Sequence, residues 1–509
     1  MSGKEICPGF VTSLWSEEFG EDYSHQALLL LGVCFSGLFL LLLLLLPQAA
    51  LARWACVRAC PSSCTCTQER SCSVLCDRSA LAELPKEFPC EASSINVDKN
   101  RLRFLSERAF GTLPSLRSLS LDHNNISFIT PGAFKGLPNL VDLKMAHNEY
   151  ISYLHTRTFS GLKKLVRVDM SDCNLFNIPD RIFLEQMALR EVRCFQNHFR
   201  RIPGAFRDMV NLTHIYLEKN KIEAVAYNSL LGLSNLRYLN LEDNRIKVIH
   251  DQSFQDLQRL ENFNLNDNML VVLPQDSFKG LTRLKMLNLG GNLLTNVTKT
   301  WFSDLVELEV LYLDRNRLLS IEEGSFENLT SLITLHLNSN NLTVLPFPVF
   351  QPVYFLGRLF LFKNPWECGC SLEWLKEWME SYQLVRDIPC ASPSSVAGLD
   401  LGDVVFARAN GSCVDPPELN ATAASTAVPS TTENRFNSLI SRLLQSELQE
   451  ETGNLTEGFR NDTLLDPEGA LLSVAGRGRA ARAHVRLLVA GFLLSLSACS
   501  EIGFRVFGT

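Results

Sequence analysis

Leucines and their apolar substitutes return at one fixed phase through the middle of the chain. In LRYLNLEDNRI they stand at Leu236, Leu239, Leu241 and Ile246, and the polar Asn244 interrupts them. The frame reappears as LENFNLNDNML, LKMLNLGGNLL, LEVLYLDRNRL and LITLHLNSNNL, placing Asn268, Asn292, Asn316 and Asn340 at successive steps of 24 residues. Leu-x-Leu alternates, so its leucines share one side of an extended strand and their neighbours take the other. Each unit predicts one short strand with a core side and a solvent side, then a turn. The asparagine falls in that turn, where its carbonyl and NH2 can bond backbone groups removed from water.

The whole ladder runs Asn100, Asn124, Asn148, Cys173, Asn197, Asn220, Asn244, Asn268, Asn292, Asn316, Asn340 and Asn364, 12 rungs with one held by cysteine. About ten residues after each rung lies a second column: Phe110, Phe134, Phe159, Phe183, Phe206, Leu230, Phe254, Phe278, Phe302, Phe326 and Phe350. It reads as an aromatic spine in the core on the outer side of the turns. A fixed period of about 20–29 residues marks a solenoid, and the frame L-x-x-L-x-L-x-x-N-x-L is that of the leucine-rich repeat. One repeat cannot bury its own leucines, whereas a stack forms a continuous core. The expected fold is therefore an α/β leucine-rich repeat solenoid over 93–363, a curved horseshoe with a parallel sheet on its concave side.

Composition changes this picture little. Lys plus Arg number 48 against 55 Asp plus Glu, a net charge of −7 over 509 residues. That balance leaves no footprint for nucleic acid. The periodicity overrides the several domains that length alone suggests.

The ends carry the other signals. Residues 1–52 read as a secretory signal: an apolar run from Leu28 to Leu46, then Pro47 and a small-residue site at Ala50-Leu51-Ala52. The leader is acidic, with Glu17, Glu18, Glu21 and Asp22, and the run is long enough to span a bilayer. An uncleaved anchor is the alternative, and both place the bulk of the chain outside the cell. Residues 53–92 hold Cys56, Cys60, Cys64, Cys66, Cys72, Cys76 and Cys90. A terminal repeat needs an atypical cap, and dense cysteines in an oxidising compartment supply one. Zinc is the competing use of C-x-C spacing, disfavoured without matching histidines. A second cysteine cap occupies 364–415, with Leu372, Leu375 and Met379 at helical spacing over the open end of the core. Cys173 and Cys194 fall inside repeats and read as buried thiols.

Residues 416–486 form a Ser/Thr-containing stalk, in which Phe436, Leu439, Ile440, Leu443, Leu444 and Leu448 share one face of a short amphipathic helix. Residues 487–509 begin with an apolar run, Leu487–Cys499, after basic residues ending at Arg486. Small residues near Ser473, a polar spacer and a short apolar tail match a glycolipid-anchor signal at Ser473; a single span is the alternative. N-glycosylation sequons stand at Asn125, Asn211, Asn296, Asn328, Asn341, Asn410, Asn420, Asn454 and Asn461.

No catalytic constellation is visible: the chain lacks G-x-S-x-G, H-E-x-x-H and the phosphate-cradling G-x-x-x-x-G-K. No metal or cofactor is called for. The nine histidines are scattered; His214 and His336 sit between strand leucines, His123 and His147 beside rungs, and each reads as a surface histidine. What the repeat supplies is a broad concave sheet. Its outward positions include Arg193, Phe195, His214, Tyr216, Tyr238, Tyr312 and His336, with Lys144, Arg167, Asp169, Glu218, Glu242 and Asp314 among them. Arg193, Phe195, Tyr216 and Tyr238 lie on consecutive repeats, and exposed aromatics with arginine are the types enriched at protein-binding hot spots. Phe360 and Phe362, on the last strand, are expected to pack under the C-terminal cap.

Two resemblances add to this reading. C-x3-C-x-C followed by V-x-C, and later NPWECGCSLEWL, resemble the flanking caps of secreted leucine-rich repeat proteins. That resemblance implies the bridges Cys60–Cys66, Cys64–Cys76, Cys368–Cys390 and Cys370–Cys413, with Cys72–Cys90 as an added bridge and Cys56 left odd. ERAFGTLPSLRSLSLDHNNISFITPGAFKGLP, LNLGGN, LEVLYLDRN, FLGRLFLFKNPW and CASPSSVAGLDL then resemble the nyctalopin family, from about Cys56 to Asn420. The resemblance implies a postsynaptic adhesion or scaffold protein at the dendritic tips of retinal ON-bipolar cells. Its partners would be the melastatin-type TRP channel and the metabotropic glutamate receptor that gates it, as dim-light vision requires. A Nogo-receptor-like ligand receptor and a soluble collagen-binding matrix protein of the decorin type are the alternatives.

Overall fold

A computed structural model of the chain describes Cys56 and residues 59–418, apart from 351–352 and 385–386. The leader over 1–52, nearly all of the stalk, its amphipathic segment, the C-terminal apolar run, Asn420, Asn454, Asn461 and Ser473 lie outside the described residues.

Among the described residues, one sheet of 14 strands runs through the molecule. Its first strand, Thr65–Gln68, is antiparallel to Cys72–Leu75. From there to Arg358–Phe360 every neighbour is parallel. The alternation read in the sequence is the burial pattern. In Tyr238–Asn240 the central Leu239 is fully buried, and it pairs with Ile215 before it and Phe263 after it. Outward residues meet in the same register, as at His214, Tyr238 and Asn262.

The turn after each strand obeys one rule. The residue just before every rung is left-handed, with φ from 47° at Asp172 to 62° at Gly291. That kink swings the rung side chain inward. Asn244 Nδ2 then donates to the carbonyls of Leu241 (3.1 Å) and Glu242 (3.1 Å) in its own turn and of Leu217 (2.9 Å) in the turn before. Its Oδ1 accepts from Ile222 N at 3.0 Å. The amide thus bonds both its own turn and its neighbour, and most asparagine rungs are buried. Cys173 approximates this with a weak thiol donor, 3.5 Å from the carbonyls of Met145 and Ser171. Burial pushes its thiol up to about 12. The inserted residue in this 25-residue step, Asn148 to Cys173, lets Ile151 N bond Asn148 O instead.

The second column forms two runs of stacked rings. Ring centroids are 6.3 Å apart for Phe110–Phe134 and 5.6 Å for Phe159–Phe183; Leu230 interrupts, and stacking resumes from Phe254 to Phe350. Trp378 of the capping helix Glu373–Tyr382 continues it, 5.3 Å from Phe350. Leu372, Leu375 and Met379 seal that end of the core.

Five disulfides hold the caps: Cys56–Cys72, Cys60–Cys66, Cys64–Cys76, Cys368–Cys390 and Cys370–Cys413. One expectation is corrected. Cys72 is bonded to Cys56, so Cys56 is not odd and the Cys72–Cys90 bridge does not form. The strand ladder sets Cys72 opposite Ala92, which leaves Cys90 before the paired stretch. Cys56 is fully buried beside Cys72, where its sulfur completes the core of the cap. Cys173 and Cys194 are buried thiols.

Candidate functional face

The solvent side of the sheet gathers side chains from successive repeats because the register is residue for residue. Tyr216 lies opposite Arg193, and His214 opposite both Glu191 and Tyr238. The Arg193 guanidinium sits 5.1 Å from the Tyr216 ring centroid, a cation–π contact, and its Nε donates to Glu191 Oε1 at 2.7 Å. Tyr216 and Tyr238 are 4.9 Å apart, tilted by 36°, and His214 stacks 6.0 Å from Tyr238. Arg193, His214, Tyr216 and Tyr238 are therefore one patch. Phe195, half-buried, stands one position further along the neighbouring strand.

Burial shapes the electrostatics of this patch. Burial raises the Tyr216 phenol, with Glu191 adding to it; burial and then Tyr216 raise that of Tyr238. Burial also raises the Glu218 carboxyl. Burial opposes the Arg193 charge, but the Glu191 hydrogen bond and charge outweigh it and the pKa rises. Two phenol O–H groups and a held guanidinium face solvent together, a set suited to carbonyls and carboxylates on a protein surface.

Tyr312 and His336 belong to a second cluster. His336 is sandwiched between Tyr312 at 4.4 Å and Phe360 at 4.3 Å. Phe360 is thus part of the concave face rather than packed under the C-terminal cap, because its strand pairs it directly with His336. Phe362 meets Phe360 edge-on at 6.4 Å, on the same rim. Between the two clusters lies a feature the sequence reading passed over, a platform of amides. Asn264 donates to Glu242 Oε2 at 2.9 Å, with Asn240, Asn262 and Asn288 in the adjoining register positions. Its signal was present as Asn at matching phase in three consecutive repeats. On the edge where turns leave the sheet, an open groove of about 560 Å3 is lined by Asp172, His198, Lys219, Lys221, Asp243 and Arg245, among others.

The sequons divide by exposure. Asn125, Asn211, Asn296, Asn341 and Asn410 are exposed and Asn328 is half-buried. Asn125 and Asn341 directly follow rungs, off the concave sheet. Among the described residues no three His, Cys, Asp or Glu side chains converge as a complete metal cage.

Comparison with known proteins agrees with this architecture. The leucine-rich repeat family model matches residues 91–149, 114–176, 188–246, 211–270, 234–294, 258–318 and 307–365. The chain is 67% identical to mouse (Mus musculus) nyctalopin over 420 residues, 81% of this chain and 88% of that protein. It is 34% identical to the mouse leucine-rich repeat and immunoglobulin-like domain-containing nogo receptor-interacting protein 3, but over only 86 residues, 17% of this chain and 14% of that one. Among solved structures, a chain of the octameric complex of Latrophilin 3, Unc5D and FLRT2 shares the fold with a TM-score of 0.54 at 24% identity, covering 68% of this chain and 98% of that one.

Proposed function

Since the chain belongs to the nyctalopin family of leucine-rich repeat proteins, we propose that it is a membrane-anchored adhesion or scaffold protein on the outer face of the plasma membrane. In this reading it acts by binding, not by catalysis. It organises the postsynaptic assembly of retinal ON-bipolar dendrites, holding the melastatin-type TRP channel near the metabotropic glutamate receptor for dim-light vision. The observation that carries the proposal is the 67% identity across the folded arc. The concave face supports it: aromatic and arginine side chains from consecutive repeats adjoin there, the types enriched at protein contacts. The five disulfides fit an oxidising, extracellular setting.

The test is capture from the concave face. A photo-crosslinking amino acid at position 262, beside Tyr238 in the ladder, is expected to trap the channel or the receptor when the full chain is expressed with both. Tyr216→Ala with Tyr238→Ala is expected to leave surface delivery intact and abolish that product. Surface-exposed protein that yields neither crosslink sinks the assignment.

A further inference from the structure

We propose that the concave face carries a carbohydrate site between its two aromatic clusters, which takes an uncharged glycan of a neighbouring glycoprotein. Two rows of polar groups build it. Asn240, Asn264 and Asn288 stand opposite one another on three successive strands, about 4.8 Å apart, and Tyr312 follows them in register. Each asparagine turns its Oδ1 to the backbone N–H two residues on, of Glu242 (3.1 Å), Asn266 (3.0 Å) and Gly290 (3.0 Å). An N–H needs an acceptor, so that bond commits the oxygen to the turn and frees the NH2. Asn264 spends one N–H on Glu242 Oε2 at 2.9 Å. Among the described residues the NH2 groups of Asn240 and Asn288 meet no acceptor. This row donates.

The row beside it accepts. It runs Glu242, Asn266, Gly290 and Asp314, two residues further along the chain in each repeat. Gly290 opens a notch there: a Cβ would lie 2.9 Å from Asp314 Oδ1, 3.0 Å from Asn266 Oδ1 and 3.2 Å from Asn288 Oδ1. Its φ is outside the left-handed region, so the turn does not require glycine and the missing side chain is space. Asp314 holds Arg315 Nε with Oδ2 at 3.2 Å and leaves Oδ1 at the notch. A donor row beside an acceptor row fits a ligand whose groups each do both, and a hydroxyl is such a group. A sugar chain presents hydroxyls along its length. A peptide strand brings side chains that need pockets of their own, whereas this strip offers amides and carboxylates. Tyr238 and Tyr312, at its two ends, offer ring faces to the C–H side of a pyranose. Glu242 and Asp314 disfavour an anionic sugar by like charge. The proposal rests on the concave face being a contact surface, not on which protein presents the glycan.

The experiment passes the purified full-length chain over immobilised mannose-terminated and galactose-terminated N-glycans and the sialylated form of the second. The wild type is expected to bind at least one of the two uncharged glycans, and the sialylated one more weakly. Asn288→Asp removes the NH2 but keeps the bond to Gly290 N, as Asp169 shows by accepting from Ser171 N at 3.0 Å in the same place of its own repeat. Gly290→Ala fills the notch. Each is expected to weaken binding by about tenfold or more. Asn96→Asp makes the same change of charge at the far end of the row, where Asn96 Oδ1 accepts from Asp98 N at 2.8 Å, and should bind as wild type does. Retention of none of the glycans, or equal retention by all three variants, overturns the proposal. The crosslink at position 262 gives a second test. A partner stripped of its N-glycans by peptide-N-glycosidase F should be trapped far less. Undiminished trapping of the stripped partner assigns the face to peptide contact and overturns the glycan reading, while the partner assignment stands. Glycan binding without any crosslink has the reverse meaning.

Discussion

Arg315 reaches past an entire repeat to Asp267. Its Nη1 lies 3.1 Å from the Asp267 carboxylate, 48 residues away, and its Nη2 donates to Asn266 Oδ1 at 3.0 Å. The intervening turn carries Gly290 and Gly291 where other repeats carry side chains. A Cβ at Gly291 would fall 1.9 Å from Asp267 Oδ1, and φ there is +62°. Gly291→Ala is therefore expected to displace the carboxylate, break this pair and add left-handed strain, costing about 1–2 kcal/mol. Arg315→Ala should cost under about 1 kcal/mol, because the pair is half exposed and screened. Denaturant midpoints decide it; equal losses would contradict the steric argument.

The rungs should not be interchangeable. Asn268 bonds the carbonyls of Leu241, Leu265 and Asn266 and the N–H of Ile246. Asn268→Cys strands buried groups and is expected to cost at least about 2 kcal/mol. Cys173→Asn should stay within about 1 kcal/mol of wild type, since Ile151 N already has a partner in Asn148 O. Thermal melts of the two variants check the asymmetry.

Asp122 sets a pH dependence. Burial, with Asp98 next, raises its carboxyl to about 6 from 3.8. The folded chain therefore binds more protons than the unfolded chain between about pH 4 and 6, and stability falls as pH rises through that window. Asp122→Asn keeps the acceptor for Ala146 N. It should stabilise the protein by about 1 kcal/mol at pH 7.5, after allowance for screening, and by nothing at pH 3.5. A gain that persists at pH 3.5 would contradict the assignment.

The N-terminal cap gives a covalent test. Cys56→Ser and Cys72→Ser remove the same bridge, which closes a separation of 16 residues. Each single variant should lose about 3 kcal/mol, and the double variant no more than either. Peptide mapping of the unreduced protein should recover Cys56 joined to Cys72.

The repeat frame, the rungs and the spine were legible in the sequence because one local rule is applied over and over. A strand of alternating leucines, a left-handed kink and a buried amide need only the residues of one turn and its neighbour. The patch of Arg193, Tyr216 and Tyr238 was legible for the same reason, since equal phase in consecutive repeats means adjacency. The stacking of His123 on His147, ring centroids 4.1 Å apart, follows from the same phase, 24 residues apart. Tertiary packing alone decided that Cys56 rather than Cys90 meets Cys72, because entry into the cap has no period to extrapolate. Phe360 shares the phase of Tyr312 and His336, so its place on the concave face follows from the same frame. Packing also decided that Arg315 bridges to Asp267, a contact that depends on the empty glycine between them, which a repeating frame of leucines does not encode.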